Sequence, residues 1–174
     1  TRPAVAVAEG ACVQGAAADE QLVEAGVFRL VRGGKAGPIP PRLAELERDV
    51  VDAIERTRPD MIAVESVFAH ARFPAAAIAL GHARGVVLLC AARSGAEIKE
   101  FEPRLVKRSL TGSGRASKDQ MQRAVQRVFG LAEPPSPPDI ADAIAIALCG
   151  LRRGPGDGLG GPADGRGSPD SMKA

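Results

Sequence analysis

The sequence predicts an α/β fold, a mixed sheet flanked by helices, and three observations carry that expectation. Apolar residues alternate with a period of two near the N-terminus, a short unbroken apolar run occurs at Met61-Ile62-Ala63-Val64, and the remainder shows apolar residues at helical spacing. Strands, a helix, a further strand and then helices is an order that builds a sheet with helices layered on it. The chain has 174 residues, enough for one domain with a real core and too few for two ordinary ones. It contains five Phe and neither Trp nor Tyr, so Ala, Val, Leu and Ile must fill the interior.

Residues 3–13 alternate loosely between apolar and small or polar types, and a second alternating stretch runs through Leu22, Val23, Val27, Phe28, Leu30 and Val31. These read as strands of a meander, with the small, polar segment 15–20 as a hairpin loop. Gly33, Gly34 and Gly37 precede Pro38, Pro40 and Pro41, which end the strand and open a helix in its first turn. Leu43, Leu46, Val50 and Ile54 continue that helix, which should stop near Arg58-Pro59 because the residue before proline is pushed away from helical angles.

The run Met61 to Val64 has the length of a buried strand and delivers Glu65 to its end. An Ala-rich stretch from Pro74 to about residue 92 reads as a helix despite Gly81 and Gly85, although Val86-Val87-Leu88-Leu89 alone also fits a strand. Residues 97–101 suit a short strand and residues 103–110 a short helix starting at proline. Ser117-Lys118-Asp119-Gln120 has the Ser-x-x-Gln form of a capping box, and Met121, Ala124, Val125 and Val128 follow at one face of a helix. After Pro134, Pro135, Pro137 and Pro138, the last helix covers residue 139 to about 151. This order is compatible with a ribonuclease H-like sheet. Residues 1–151 are expected to form the domain, and residues 152–174, rich in Gly, Pro, Asp and Ser, a disordered tail that buries too little surface to order itself.

Cys12, Cys90 and Cys149 are scattered without CxxC spacing, which speaks against a zinc site or a disulfide framework and for a reducing cytoplasm. No uninterrupted apolar run of about 18 residues occurs, so a soluble protein is expected. The net charge of +2 is uninformative, but its distribution is uneven. Residues 99–127 hold eight basic against three acidic residues, while residues 41–65 hold four Arg against seven acids. A polyanion such as DNA suits that asymmetry, but on charge alone a solvated helix face with incidental Arg is the better account.

Three acids are candidates for chemistry: Glu65 at a strand end, and Asp139 and Asp142, whose spacing places both on one face of the last helix. Hard cations such as Mg²⁺ take oxygen ligands, and two ions about 4 Å apart can activate water and stabilise the leaving oxygen of a phosphodiester. Asp near a helix N-terminus is also favoured by the macrodipole whatever the function. His70 and His82 lack partners at metal spacing, Gly112-x-Gly114 is too short for a nucleotide fingerprint, and no P-loop or nucleophile–base arrangement is found.

The segments PDMIAVESVF, ALGHARGVVLLCAA, PRLVKRSLTGSGRASKDQMQRAV and PPDIADAIAIALC resemble, in order and spacing, four motifs of the RuvC family of Holliday-junction resolvases. The resemblance runs from about residue 22 to residue 151. It implies metal ligation and catalysis by Glu65, Asp139 and Asp142, two Mg²⁺ or Mn²⁺ ions, and DNA contacts from Phe68, Lys107, Arg115 and Lys118. It further implies a homodimer, and RuvA and RuvB as branch-migration partners. The family's opening Gly-ϕ-Asp-Pro-Gly strand (ϕ apolar), which supplies a fourth acid, is not reproduced. Anchored on Ala11-Cys12-Val13, that Asp falls on Arg2; if Thr1-Arg2 instead follow the pattern, it precedes Thr1. Glu9 is a weak substitute. The expected activity is junction resolution, with a junction-binding protein impaired in cleavage as the alternative and an unrelated α/β enzyme as the third.

Overall fold

The structure, a computed structural model, describes residues 4–6, 11–14, 20–28, 37–66 and 74–153. Five strands, β1 (Ala4–Ala6), β2 (Ala11–Gln14), β3 (Gln21–Ala25), β4 (Met61–Glu65) and β5 (Glu97–Phe101), form one sheet in the order β3-β2-β1-β4-β5. β1, β2 and β3 pair antiparallel, whereas β4 runs parallel to both β1 and β5. The mixed α/β fold is therefore as expected, with one correction. The stretch 3–13 supplies two antiparallel strands, because Ala4–Ala6 turns back on Ala11–Gln14. β3 ends at Ala25; the expected continuation through Leu30 and Val31 lies outside the described residues.

The helices are α1 (Ile39–Thr57), α2 (Pro74–Ser94), α3 (Pro103–Thr111), α4 (Lys118–Phe129) and α5 (Pro138–Arg153). Prolines occupy the first turns of α1 and α3, where a missing N–H costs nothing. α1 ends at Arg58 in the left-handed region (φ 43°), whose N–H donates to Ile54 O at 2.7 Å. The Ser117 capping box is complete: Gln120 N donates to Ser117 Oγ, and Ser117 N to Gln120 Oε1. Val86 to Leu89 belong to α2, so the helical reading prevails over the strand.

Alternation along β4 divides the core into two layers. Ile62 and Val64 pack against Leu46, Val50 and Ile54 of α1 and Val87, Cys90 and Ala91 of α2. Ala63 and Phe101 face the other way, toward α5, Met121 and Val125 of α4, and Val106 of α3. α5 is buried along most of its length because Ala and Gly let it approach the sheet. A Cβ placed on Gly150 would lie 3.1 Å from Met61 Cε and 3.2 Å from Ala63 Cβ. Val128 is the exception to the α4 core stripe, at 37% exposure.

α5 continues two residues past the expected boundary: Arg152 donates from Nε and Nη2 to the Glu20 carboxylate at 2.6 and 2.7 Å, tying the helix end to the start of β3. The remaining expected tail lies outside the described residues. By length and composition, the segment Ala77–Ser94 of α2 could cross a membrane. In the structure 17% of that segment is buried, with Val87, Cys90 and Ala91 packed against α1 and the sheet.

Candidate functional site

The three candidate acids reach one end of the molecule from two elements. β4 carries Glu65 at its last position, and the pleat sends its side chain to the α5 side of the sheet, the side that Ala63 takes. α5 begins at Pro138 and presents Asp139 and Asp142 in its first turns. Burial raises the Glu65 pKa, the charge of Asp142 raises it further, and Lys107 pulls it back. Asp142 is likewise raised by burial and by Asp139, against the lowering influence of Lys118 and Lys107. Glu65 and Asp142 thus repel each other in a partly desolvated setting, with Asp139 alongside Asp142.

Two lysines expected at the DNA face border these acids. Lys107, on α3, acts on both Glu65 and Asp142. Lys118, first residue of α4, places Nζ 3.5 Å from Asp139 Oδ1, an ion pair 67% and 46% exposed. Arg115 stands exposed in the α3–α4 loop, where its N–H donates to Ser113 Oγ at 3.3 Å. Phe68, His70 and Glu9 lie outside the described residues, and His82 is exposed on α2. Lys99, one of the basic residues in the 99–127 run, is withdrawn from the surface: it is 4% exposed, with Nζ 3.6 Å from Glu97.

Among the described residues, no group of three or more His, Cys, Asp or Glu is arranged to hold a metal ion. In their chemistry, Glu65 and Asp142 nevertheless fit a hard divalent cation, since both are oxygen donors whose mutual repulsion a cation would relieve. Cys90 and Cys149 are free and buried.

Two features escaped the sequence. Arg84 of α2 donates to Glu65 O at 2.7 Å and to Glu100 Oε2 at 2.6 Å. A lone Arg between Gly81 and Gly85 in an apolar helix was the available signal. Between α3 and α4 a hollow of about 330 Å³ is lined by Thr111, Ser113, Gln120, Arg123 and Arg127. The available signal was the helical phase of α4, which places Gln120, Arg123 and Arg127 near one face.

A mixed sheet in the order 3-2-1-4-5, with acids at the end of an interior strand and on the helix crossing it, is the arrangement of a ribonuclease H-like domain. The family pattern described as "Crossover junction endodeoxyribonuclease RuvC" matches residues 3–150, and the chain belongs to the RuvC family. The RuvC of Rhodopirellula baltica is 41% identical over 129 residues, covering 74% of this chain and 71% of that protein. That of Dehalococcoides mccartyi is 43% identical over 133 residues, covering 76% and 79%. The structure of Thermus thermophilus RuvC in complex with a Holliday junction substrate superposes with a TM-score of 0.72 at 29% identity, covering 85% of this chain and 89% of that one. The yeast mitochondrial Holliday junction resolvase Ydc2 shares the fold, with a TM-score of 0.56 at 14% identity, covering 87% and 76%.

Proposed function

We propose that this chain is a structure-selective endonuclease that resolves four-way (Holliday) DNA junctions by metal-dependent phosphodiester hydrolysis in recombination and repair. The observation that carries this reading is the acidic centre of Glu65, Asp142 and Asp139 bordered by Lys107 and Lys118, in a chain of the RuvC family. Glu65, Asp139 and Asp142 are the residues that would hold Mg²⁺ or Mn²⁺, two ions per site by family resemblance. When bound, such ions polarise the phosphodiester and acidify the attacking water.

The chain's own residues do the rest. Lys107 partly offsets the burial that raises the pKa values of Glu65 and Asp142 and so favours their charged forms. Lys118 holds Asp139 while the site is free of DNA, and as the more exposed partner of that pair it is placed to meet a phosphate. Arg115 and Phe68 extend the DNA face along the family motifs.

Lys107→Ala and Lys118→Ala are each expected to weaken junction binding and to reduce the slope of log affinity against log salt by about one unit, the effect of one lost phosphate contact. Titrations at several salt concentrations with a synthetic junction and a linear duplex test both the reading and the residues. Equal affinity for junction and duplex would remove the proposed function.

A homodimer fits a substrate with near-twofold symmetry, because two identical sites can cut two opposed strands. What supports it is α2, where Ile78, Gly85 and Leu89 fall on one stripe and Ile78 and Leu89 are 58% and 48% exposed. The open space around Gly85 would let a second helix approach closely. Leu89→Glu is expected to shift the chain to a monomer in sedimentation experiments while it stays folded by circular dichroism; an unchanged dimer would place the interface elsewhere. RuvA and RuvB are the branch-migration partners and the cytoplasm the compartment.

A second reading, a junction-binding protein impaired in cleavage, is favoured by one observation: β1, the strand beside β4, carries Ala4, Val5 and Ala6 and no acid. Phosphate contacts survive the loss of one metal ligand, so binding can outlast catalysis.

A further inference from the structure

We propose that Arg84 is a positioning residue for the carboxylate site, a clamp from behind the sheet that fixes the strand end carrying Glu65. The inference rests on the reading of Glu65 as a metal ligand. Arg84 Nη1 donates to Glu65 O at 2.7 Å, while Nη2 donates to Glu100 Oε2 at 2.6 Å. Its side chain is 19% exposed and that of Glu100 41%, so the ion pair is sheltered on the arginine side.

The placement explains why an arginine is needed. Glu65 pairs with Phe101 at the final step of the parallel β4–β5 ladder, and Ser66 N donates to Phe101 O at 2.9 Å just beyond it. The Glu65 carbonyl there is satisfied by a side chain, Arg84, from a third element. One planar guanidinium thereby ties α2 to adjacent strands, gripping the β4 backbone with one nitrogen and β5 with the other. A lysine has no such fork and can serve only one acceptor well.

Arg84 and the carboxylate it would position lie on opposite faces. Glu100 shares its face of β5 with Ile98, which packs in the α1–α2 layer, whereas the Glu65 side chain points toward α5. Arg84 therefore acts through the main chain, setting where the Glu65 carboxylate points without neutralising it. Partners that orient a metal ligand in this way typically change metal affinity about 10–100-fold when removed.

The test uses the full chain with Arg84→Gln, Arg84→Lys, Glu100→Gln and, as a control, Glu65→Gln. Mn²⁺ alone is titrated and free ion followed by electron paramagnetic resonance, well below each variant's melting temperature. Junction affinity is measured in EDTA. Arg84→Gln is expected to weaken Mn²⁺ binding at least about tenfold, with Glu100→Gln and Arg84→Lys intermediate and metal-free junction affinity within about twofold of the parent. A merely structural role predicts a lower melting temperature with unchanged Mn²⁺ affinity in the folded protein, and that result overturns the proposal. If Arg84→Gln does not fold, Arg84→Lys and Glu100→Gln decide by the same readout. Should Glu65→Gln bind Mn²⁺ like the parent, the metal site itself is misassigned and the clamp falls with it. Unchanged Arg84 variants beside a defective Glu65→Gln overturn the clamp alone.

Discussion

Asp142→Asn is expected to eliminate junction nicking while leaving junction affinity equal or tighter. Asn keeps the shape of the side chain and one oxygen, but it removes the negative charge that the Glu65 carboxyl feels and that any approaching phosphate must face. A single-turnover assay beside a binding titration separates the two effects. Nicking at the parental rate would take Asp142 out of the site. The same change has a stability signature whose sign follows from the raised pKa values of Glu65 and Asp142, each due first to burial. Between the unfolded and folded pKa values the folded chain binds more protons, so stability falls as pH rises through that window and stays lower above it. Asp142→Asn removes one of these groups and relieves the other. In EDTA the variant should melt above the parent at neutral pH, with the gap closing as pH falls below the ordinary carboxylate range. A divalent cation should raise the parent's melting temperature more than the variant's.

The fold was legible where local chemistry and tertiary packing agree. The Ser117 capping box, the prolines opening α1 and α3, and Arg58-Pro59 closing α1 each act within a few residues, so sequence order alone locates them. The Ala-rich α2 was ambiguous at Val86 to Leu89 because an apolar tetrad has no period; being built into a long helix packed beside α1 on the sheet decides it. The N-terminal strands were misjudged because small residues such as Ala4, Ala6 and Ala11 give almost no contrast between faces, and register then depends on which neighbour is available.

Legibility at the site followed the same line. Glu65, Asp139 and Asp142 were visible as acids at element ends, and the helical spacing of the Asp pair set their common face. Lys107 and Lys118 came from the family motif, since nothing in their local spacing separates them from Arg104 or Arg108. Arg84 was not legible, because its role depends on a carbonyl 19 positions away in sequence that meets it only after α2 packs on β4 and β5. Lys99 was misleading for the complementary reason: its charge counts toward a basic run in sequence but is buried in space.

A chain carrying Gly-Ile-Asp-Pro-Gly ahead of Thr1 is expected to nick four-way junctions about a thousandfold faster in Mg²⁺ than residues 1–174 alone, equivalent to about 4 kcal/mol of transition-state stabilisation. The basis is the slot beside β4. β1 occupies it in the register Ala4↔Met61, Val5↔Ile62 and Ala6↔Ala63, parallel to the strand that ends in Glu65. A carboxylate near the end of a strand in that slot would approach Glu65 from the neighbouring strand, completing a set that otherwise draws on β4 and α5 alone. The added segment must displace Ala4–Ala6, three residues paired with β2 on one edge and β4 on the other, to gain that place. Both chains should bind junctions in preference to duplex, because Lys107 and Lys118 are common to them. Paired nicks at comparable rates from both would show that the unextended chain draws its remaining carboxylate from elsewhere, and Glu9 would be the residue to mutate. Junction binding by neither would instead return the unrelated-enzyme reading, since the family's phosphate contacts would then be absent from a chain that carries its motifs.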